Sequence, residues 1–124
     1  MHPALSFSAR VIAGAGRGRV IGSPTLNLEV RKVPKDLRHG IYACCATWNK
    51  QPRDAVMHFG PRPVFHAGIA CEVHVLENFR ITPKTVTVHV RKRLRSVKKF
   101  PSVEALKRQI AKDIARARAM LADR

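Results

Sequence analysis

Short segments in which apolar and polar residues alternate make up most of the chain, and this pattern limits its fold more than any other feature. Residues 69–76 alternate most clearly, with Cys71, Val73 and Val75 on one face and Glu72 and His74 on the other. Further extended segments are predicted at residues 6–13, 27–32, 41–48, 55–59 and 85–90, with a turn at 51–54. About six strands joined by short connections favour an antiparallel barrel or sandwich over a parallel sheet.

The last segment of the sequence has the period of a helix instead. Ser102 is a good N-cap that directly follows Pro101. Apolar residues then recur every three or four positions, at Val103, Leu106, Ile110, Ile114, Ala117 and Leu121. We therefore predict a mainly β protein that ends in one amphipathic α-helix packed on the strands.

Length and hydropathy favour a single domain outside the membrane. The 124 residues leave room for one domain, residues 1–124, and the 45% of apolar residues is ordinary for a globular core. No apolar run is long enough to span a bilayer, and the first residues lack the layout of a signal peptide. Cys44, Cys45 and Cys71 are expected to be small buried residues in a reducing compartment. We expect a cytoplasmic monomer with no membrane partner.

The chain is strongly basic, with 24 Lys and Arg against 8 Asp and Glu, which gives a formal charge of +16. Such a charge attracts phosphate, whether it belongs to nucleic acid, an acidic membrane or a nucleotide substrate. Aromatic residues make up only 6% of the chain, few for a surface that stacks nucleobases. Nucleic-acid binding is therefore an alternative function that the composition does not favour.

A glycine-rich segment, residues 13–27, is the first candidate binding element. It lacks the Gly-Lys-Ser/Thr ending of a Walker loop, and no helical pattern follows it as in a dinucleotide-binding fold. Glycine-rich loops let backbone N–H groups approach phosphate oxygens, and neighbouring arginines add charge. A flexible hairpin connection explains the same residues equally well. The candidate phosphate-binding residues are Gly14, Gly16, Arg17, Gly18 and Gly22.

The end of this segment carries a more specific pattern. Thr25 and Asn27 are two residues apart in an extended stretch that follows Pro24, so their side chains point to the same side. A hydroxyl and a carboxamide oxygen suit Mg²⁺, which keeps its other positions for water and nucleotide phosphates. The alternative is that both side chains only satisfy the hydrogen bonds of a turn.

Glu72 is a candidate general base, because it is a carboxylate in the middle of a hydrophobic strand. The alternation alone leaves open whether it faces solvent or a site. His74 shares its face, and a structural imidazole is the simpler interpretation of that residue.

From Phe7 to about Ala122 the sequence resembles the riboflavin kinase family, in motifs that follow the family's order. The motifs are GAGRGRVIGSPTLNL at residues 14–28, GIY at 40–42, FGPRPVF at 59–65, EVHVLE at 72–77 and RLRSVKKFPSVEALKRQIAKDI at 93–114. The resemblance implies a six-stranded antiparallel Greek-key barrel closed by the C-terminal helix. It also implies transfer of the γ-phosphate of ATP to the 5′-hydroxyl of riboflavin, which gives FMN and ADP.

The resemblance also assigns roles to single residues. Thr25 and Asn27 match the ligands of Mg²⁺ and phosphate, Glu72 matches the catalytic base, and the glycines and Pro24 lie around the nucleotide. The residues expected near the flavin ring are Arg95, Lys99, Phe100, Ser102 and Leu106.

Two stretches depart from the family's usual residues, at 58–65 and at 79–83. They keep a second hypothesis open, a relative of the kinase that binds flavin or nucleotide without turnover. The third hypothesis is the basic barrel that binds nucleic acid.

Overall fold

The computed structural model of the protein describes residues 5–12, 25–62 and 68–122. Within these ranges the chain forms strands β1 (Leu5–Ile12), β2 (Thr25–Leu28), β3 (Gly40–Trp48), β4 (Gln51–Pro61), β5 (Ile69–Val75) and β6 (Thr85–Arg95), followed by helix α1 (Val103–Leu121). A short 3-10 helix, Val30–Lys32, separates β2 from β3.

The strands close into a barrel in the order β1-β2-β5-β4-β3-β6, and each neighbouring pair is antiparallel. Strands β3, β4 and β5 are consecutive neighbours, and β6 returns to lie beside β3, which is the Greek-key order. The predicted fold class, a six-stranded antiparallel Greek-key barrel with a C-terminal helix, is confirmed.

Alternate residues of each strand fill the interior of the barrel. Leu26, Met57 and Val73 are at most 2% exposed, and they belong to one apolar cluster with Cys44 and Cys71. The expectation that Cys44, Cys45 and Cys71 are buried is confirmed, and all three are free thiols. Cross-strand partners share a face of the sheet, so this cluster also fixes which side chains point outward.

Helix α1 covers part of the outer surface of the barrel. Ser102 caps its first turn, because its Oγ accepts a hydrogen bond from the backbone N–H of Ala105 at 3.1 Å. Ala117 and Leu121, both in the second half of the helix, are buried against outward-facing side chains of β3, β4 and β6. These strand residues are Ile41, Ala43, Val56 and Leu94.

The first half of α1 packs less tightly than the periodic pattern predicts. Val103, Leu106 and Ile110 are half-buried and belong to neither apolar cluster. No helix in the described ranges is both long and apolar enough to cross a membrane.

Two local predictions were wrong. The predicted turn at 51–54 lies inside β4, and the turn consists of Asn49 and Lys50, whose φ angles of 51° and 63° suit a two-residue hairpin. Residues 27–32 are not one extended segment, because β2 ends at Leu28 and the 3-10 helix follows.

Candidate functional site

One row of side chains crosses the outer surface of the barrel from β2 to β6. In register, Asn27 of β2 lies opposite Glu72 of β5, Glu72 opposite His58 of β4, His58 opposite Ile41 of β3, and Ile41 opposite Arg95 of β6. Neighbouring strands are about 4.8 Å apart, so this row brings residues from distant parts of the sequence into one line.

Helix α1 packs on part of this row through its contacts with β3, β4 and β6. Leu26 and Val73, the sequence neighbours of Asn27 and Glu72, point into the barrel, so Asn27 and Glu72 point outward. The helix covers the β3 position of the row, where Ile41 is buried. The predicted alternation of β5, with Glu72 opposite to its apolar face, is confirmed.

Glu72 is nearly buried, with 9% of its surface exposed. Its Oε2 forms an ion pair with Nη1 of Arg62 at 3.0 Å, and the Arg62 side chain is 16% exposed. A largely desolvated ion pair of this kind fixes the position of both groups more firmly than a surface pair does. The carboxylate is therefore held in place at the β2–β5–β4 surface.

Thr25 lies in the next outward position of β2, as its spacing from Asn27 predicts. Its Oγ1 is 2.9 Å from Nδ1 of His74, its direct partner on β5. Burial lowers the pKa of His74 to about 4, with a smaller contribution from the charge of His58. A neutral imidazole can accept the hydroxyl proton of Thr25 at Nδ1, and this hydrogen bond orients the Thr25 hydroxyl.

Asn27 supplies an observation that fits a bound cation. Its side-chain Oδ1 is buried, and no described group donates a hydrogen bond to it. Buried polar atoms are almost always paired, so such an oxygen calls for a partner beyond the described groups. Thr25 and Asn27 together offer two neutral oxygen ligands of the kind that Mg²⁺ accepts.

His58 was not predicted as part of the site, although it lies directly beside Glu72. Its Nε2 donates to the carbonyl oxygens of Pro61 at 2.8 Å and Gly60 at 3.3 Å. Burial lowers the pKa of His58, while the carboxylate of Glu72 opposes this shift. The imidazole therefore fixes the backbone just before Arg62, the residue that contacts Glu72.

Arg95, predicted near a flavin, is held by the helix. Its guanidinium forms two hydrogen bonds with the carboxylate of Asp113, at 2.9 and 2.8 Å, and its Cζ lies 5.8 Å from the ring centroid of Phe100. The hydroxyl of Ser102 is used in capping α1, Leu106 is half-buried, and Lys99 is exposed. The structure thus groups these five predicted residues around the end of β6 and the start of α1.

The remaining predicted residues lie outside the described ranges. They are Gly14, Gly16, Arg17, Gly18, Gly22 and Pro24. Their assigned role around the nucleotide stays a prediction.

Comparison with known proteins decides the family. The sequence matches the family described as Flavokinase: Riboflavin kinase over residues 1–121. The chain belongs to the riboflavin kinase family. It is 36% identical over 121 residues to the bifunctional riboflavin kinase/FMN adenylyltransferase of Escherichia coli (strain K12), a match that covers 94% of this chain and 38% of that relative.

Two further relatives match the flavokinase sequence or fold. The RNA-binding riboflavin kinase RibR of Bacillus subtilis (strain 168) is 31% identical over 112 residues, which cover 88% of this chain and 48% of RibR. A crystal structure described as a macrolide-efflux protein from Streptococcus pneumoniae superposes with a TM-score of 0.79 at 30% identity, covering 93% of this chain and 38% of that one. This chain therefore spans less than half the length of each of these proteins.

Proposed function

We propose that the chain is a riboflavin kinase that transfers the γ-phosphate of ATP to the 5′-hydroxyl of riboflavin, giving FMN and ADP. One observation carries the proposal: Glu72 and Asn27 lie side by side on the outer surface of a barrel whose sequence matches the riboflavin kinase family. A fixed carboxylate beside two oxygen ligands is the arrangement that phosphoryl transfer to an alcohol requires.

Glu72 acts as the general base. A primary alcohol is a poor nucleophile at neutral pH, so its proton must leave as the new P–O bond forms. A carboxylate oxygen of Glu72 takes this proton from the 5′-hydroxyl, the hydroxyl oxygen bonds to the γ-phosphorus, and the bond between that phosphorus and the β–γ bridging oxygen breaks. ADP leaves with the bonding electrons, so charge and atoms balance.

Thr25 and Asn27 hold the magnesium ion of the nucleotide. When bound, Mg²⁺ supplies charge neutralisation on the phosphate oxygens. The chain contributes the two oxygen atoms, and His74 orients one of them through its hydrogen bond with Thr25. The Oδ1 of Asn27, for which residues 5–12, 25–62 and 68–122 offer no hydrogen-bond partner, supports this assignment independently of the family resemblance.

The flavin ring binds where β6 meets α1, at the other end of the row from Asn27. Phe100 offers a half-buried aromatic surface there, and Leu106 a half-buried apolar one. Arg95, which is fixed by Asp113, and the exposed Lys99 add positive charge. Ser102 fixes the start of the helix that carries Leu106.

A product assay tests this function. Purified protein is incubated with riboflavin, ATP and Mg²⁺, and FMN is separated by chromatography. We expect FMN from the wild type, a loss of at least about 100-fold for Glu72→Gln, and wild-type activity for Glu77→Gln, which changes an exposed glutamate just after β5. Quenching of riboflavin fluorescence without FMN would support the non-catalytic flavin binder instead.

A second candidate function is nucleic-acid binding, and the distribution of charge favours it. Many basic side chains are exposed along the end of β6 and on α1, where Glu104 is an exposed acid. The exposed basic residues are Arg91, Lys92, Lys98, Lys99, Lys107, Arg108, Lys112, Arg116 and Arg118. Anisotropy of a labelled RNA oligonucleotide tests the idea: binding at physiological salt that weakens steeply with added salt supports it, and no binding there contradicts it.

A further inference from the structure

Two buried polar atoms that have no hydrogen-bond partner among the described residues flank Glu72, and they have opposite polarity. Oδ1 of Asn27 is an acceptor, and Asn27 lies directly opposite Glu72 on β2. Nε of Arg62 is a donor, and the same guanidinium contacts Oε2 of Glu72 through Nη1 at 3.0 Å. The acceptor fits a cation and the donor fits an anion.

Leaving such atoms unpaired is costly for the protein alone. A buried donor or acceptor without a partner destabilises the folded protein, and more so where the group is charged. A magnesium–phosphate group carries both missing partners, a cation for Oδ1 and anionic oxygens for Nε–H. The two atoms therefore point to the same ligand on either side of the carboxylate.

We propose that Arg62 binds the phosphoryl group during its transfer, with Nη1 on Glu72 and Nε–H on a phosphoryl oxygen. This inference rests on the proposed kinase function. It makes Arg62 a catalytic residue that contacts both the base and the transferred group.

The distances allow this contact. The attacking hydroxyl must lie within about 3 Å of a Glu72 carboxylate oxygen. The γ-phosphorus must lie about 3–3.5 Å from that hydroxyl oxygen in a reactive complex. Arg62 is already 3.0 Å from the same carboxylate, so the edge of its guanidinium that carries Nε can reach the phosphoryl oxygens.

Arginine also suits the chemistry of this position. A guanidinium has five N–H donors in one plane, so it can contact a carboxylate and a phosphoryl oxygen at once. Charge on the phosphoryl oxygens must be neutralised in the transition state, and an arginine in that role contributes about 10³–10⁵ to kcat in other phosphoryl-transfer enzymes. His58 orients the backbone before Arg62, which keeps the guanidinium in place.

The experiment compares Arg62→Gln and Arg62→Lys with a matched control, Arg31→Gln. Arg31 also pairs with a glutamate, Glu29, at 3.2 Å, but its side chain is 73% exposed, so the control removes the same charge and an Arg–Glu ion pair at an exposed position. Circular dichroism checks folding. Steady-state FMN formation gives kcat and KM, and calorimetry gives the affinities for Mg·ADP and for Mg·ADP with aluminium fluoride, which mimics the transferred group.

We expect kcat to fall by about 10²–10³ in Arg62→Gln, with KM for ATP and the Mg·ADP affinity within about threefold of wild type. The wild type should bind Mg·ADP with aluminium fluoride more tightly than Mg·ADP alone. This preference should disappear in Arg62→Gln. Arg62→Lys should retain part of the kcat and part of the preference for the aluminium fluoride complex, because it keeps the charge and loses the planar donors. Arg31→Gln should match the wild type in kcat and in its preference for the aluminium fluoride complex.

Wild-type kcat in Arg62→Gln, or unchanged preference for the aluminium fluoride complex, would overturn the role of Arg62 while the wild type still forms FMN. If Arg62→Gln does not fold, the decision rests on Arg62→Lys, where unaltered kcat and analogue preference are the overturning result. Absence of FMN from the wild type would instead contradict the proposed kinase function itself.

Discussion

Arg95 and Asp113 form two parallel hydrogen bonds, Nε to Oδ1 at 2.9 Å and Nη2 to Oδ2 at 2.8 Å, that join the end of β6 to the middle of α1. Asp113 is only 1% exposed, and Gln109 donates a third hydrogen bond to its Oδ1 at 3.1 Å. This pair holds the helix across the barrel and holds the guanidinium of Arg95 beside Phe100. It therefore links the docking of α1 to the proposed flavin site.

Removing the carboxylate should loosen the helix. Asp113→Ala leaves the Arg95 guanidinium without its partner in a largely dry position, and we expect the free energy of unfolding to fall by about 3–5 kcal/mol. Urea denaturation followed by circular dichroism measures this loss. Glu104→Ala, which changes an exposed acid of the same helix, is the control and should cost less than about 1 kcal/mol. A loss for Asp113→Ala no larger than the control's would contradict the role of the pair.

The stability of the protein should fall in mildly acidic solution because of His74. Its pKa is lowered from 6.5 to about 4 in the folded state, so the folded protein resists the proton that the unfolded chain takes up. The contribution of His74 to the free energy of unfolding is therefore fully present above pH 6.5. It decreases as the pH falls toward 4, by on the order of 3 kcal/mol.

Urea unfolding at several pH values tests this expectation. His74→Gln can still hydrogen-bond Thr25 but does not titrate, so its stability should decrease less over that range than the wild type's. Equal slopes for wild type and His74→Gln would show that another group causes the pH dependence.

The strands and helix could be predicted where local patterns decide them. The alternation of β5 and the N-cap at Ser102 are visible in single stretches of sequence, and both predictions are confirmed. The predicted turn at 51–54 was wrong because a contact within the β3–β4 hairpin overrides the preference of residues 51–54 for a turn. Arg53 is buried in β4, where its Cζ lies 3.5 Å from the ring centroid of Trp48 and its Nη1 donates a hydrogen bond to the carbonyl oxygen of Trp48. Residues 51–54 therefore extend the hairpin.

The candidate site was predictable only in part, because some of its residues meet through contacts between strands. Two residues could be identified from short stretches of sequence. Glu72 is a carboxylate in an apolar strand, and Asn27 is an oxygen ligand two residues after Thr25. His58 and Arg62 join them only through the register of β4 against β5, which no short stretch of sequence reveals. Asp113 likewise looks like one more polar residue of an amphipathic helix until Arg95 is placed beneath it.

The three thiols should resist modification in the native protein. Cys44, Cys45 and Cys71 are at most 3% exposed, and burial raises the pKa of Cys71 to about 12, so its reactive thiolate is scarce. We expect labelling by Ellman's reagent to be slow at pH 8 and to become complete in denaturant, with a rate that follows unfolding. Asp113→Ala provides the control, since labelling should be faster in this destabilised variant. Rapid labelling of the folded wild type would contradict the burial of these residues.

Asn27 should show a conflict between stability and function. Its Oδ1 is buried and has no partner in the part of the chain that the structure describes, so replacing the amide by an apolar side chain of similar size removes an unsatisfied group. We expect Asn27→Leu to raise the free energy of unfolding by about 1 kcal/mol in the absence of ligand. The same change should abolish the increase in melting temperature that Mg·ADP gives the wild type, because one oxygen ligand is lost.

Thermal unfolding with and without Mg·ADP measures both effects. Asn78→Leu, at an exposed position after β5, is the matched control and should leave the response to Mg·ADP unchanged. A lower stability of Asn27→Leu without ligand would show that the amide has a structural partner. A full response of Asn27→Leu to Mg·ADP would show that its Oδ1 does not contact the cation, and the assignment of Thr25 and Asn27 as the magnesium ligands would then be wrong.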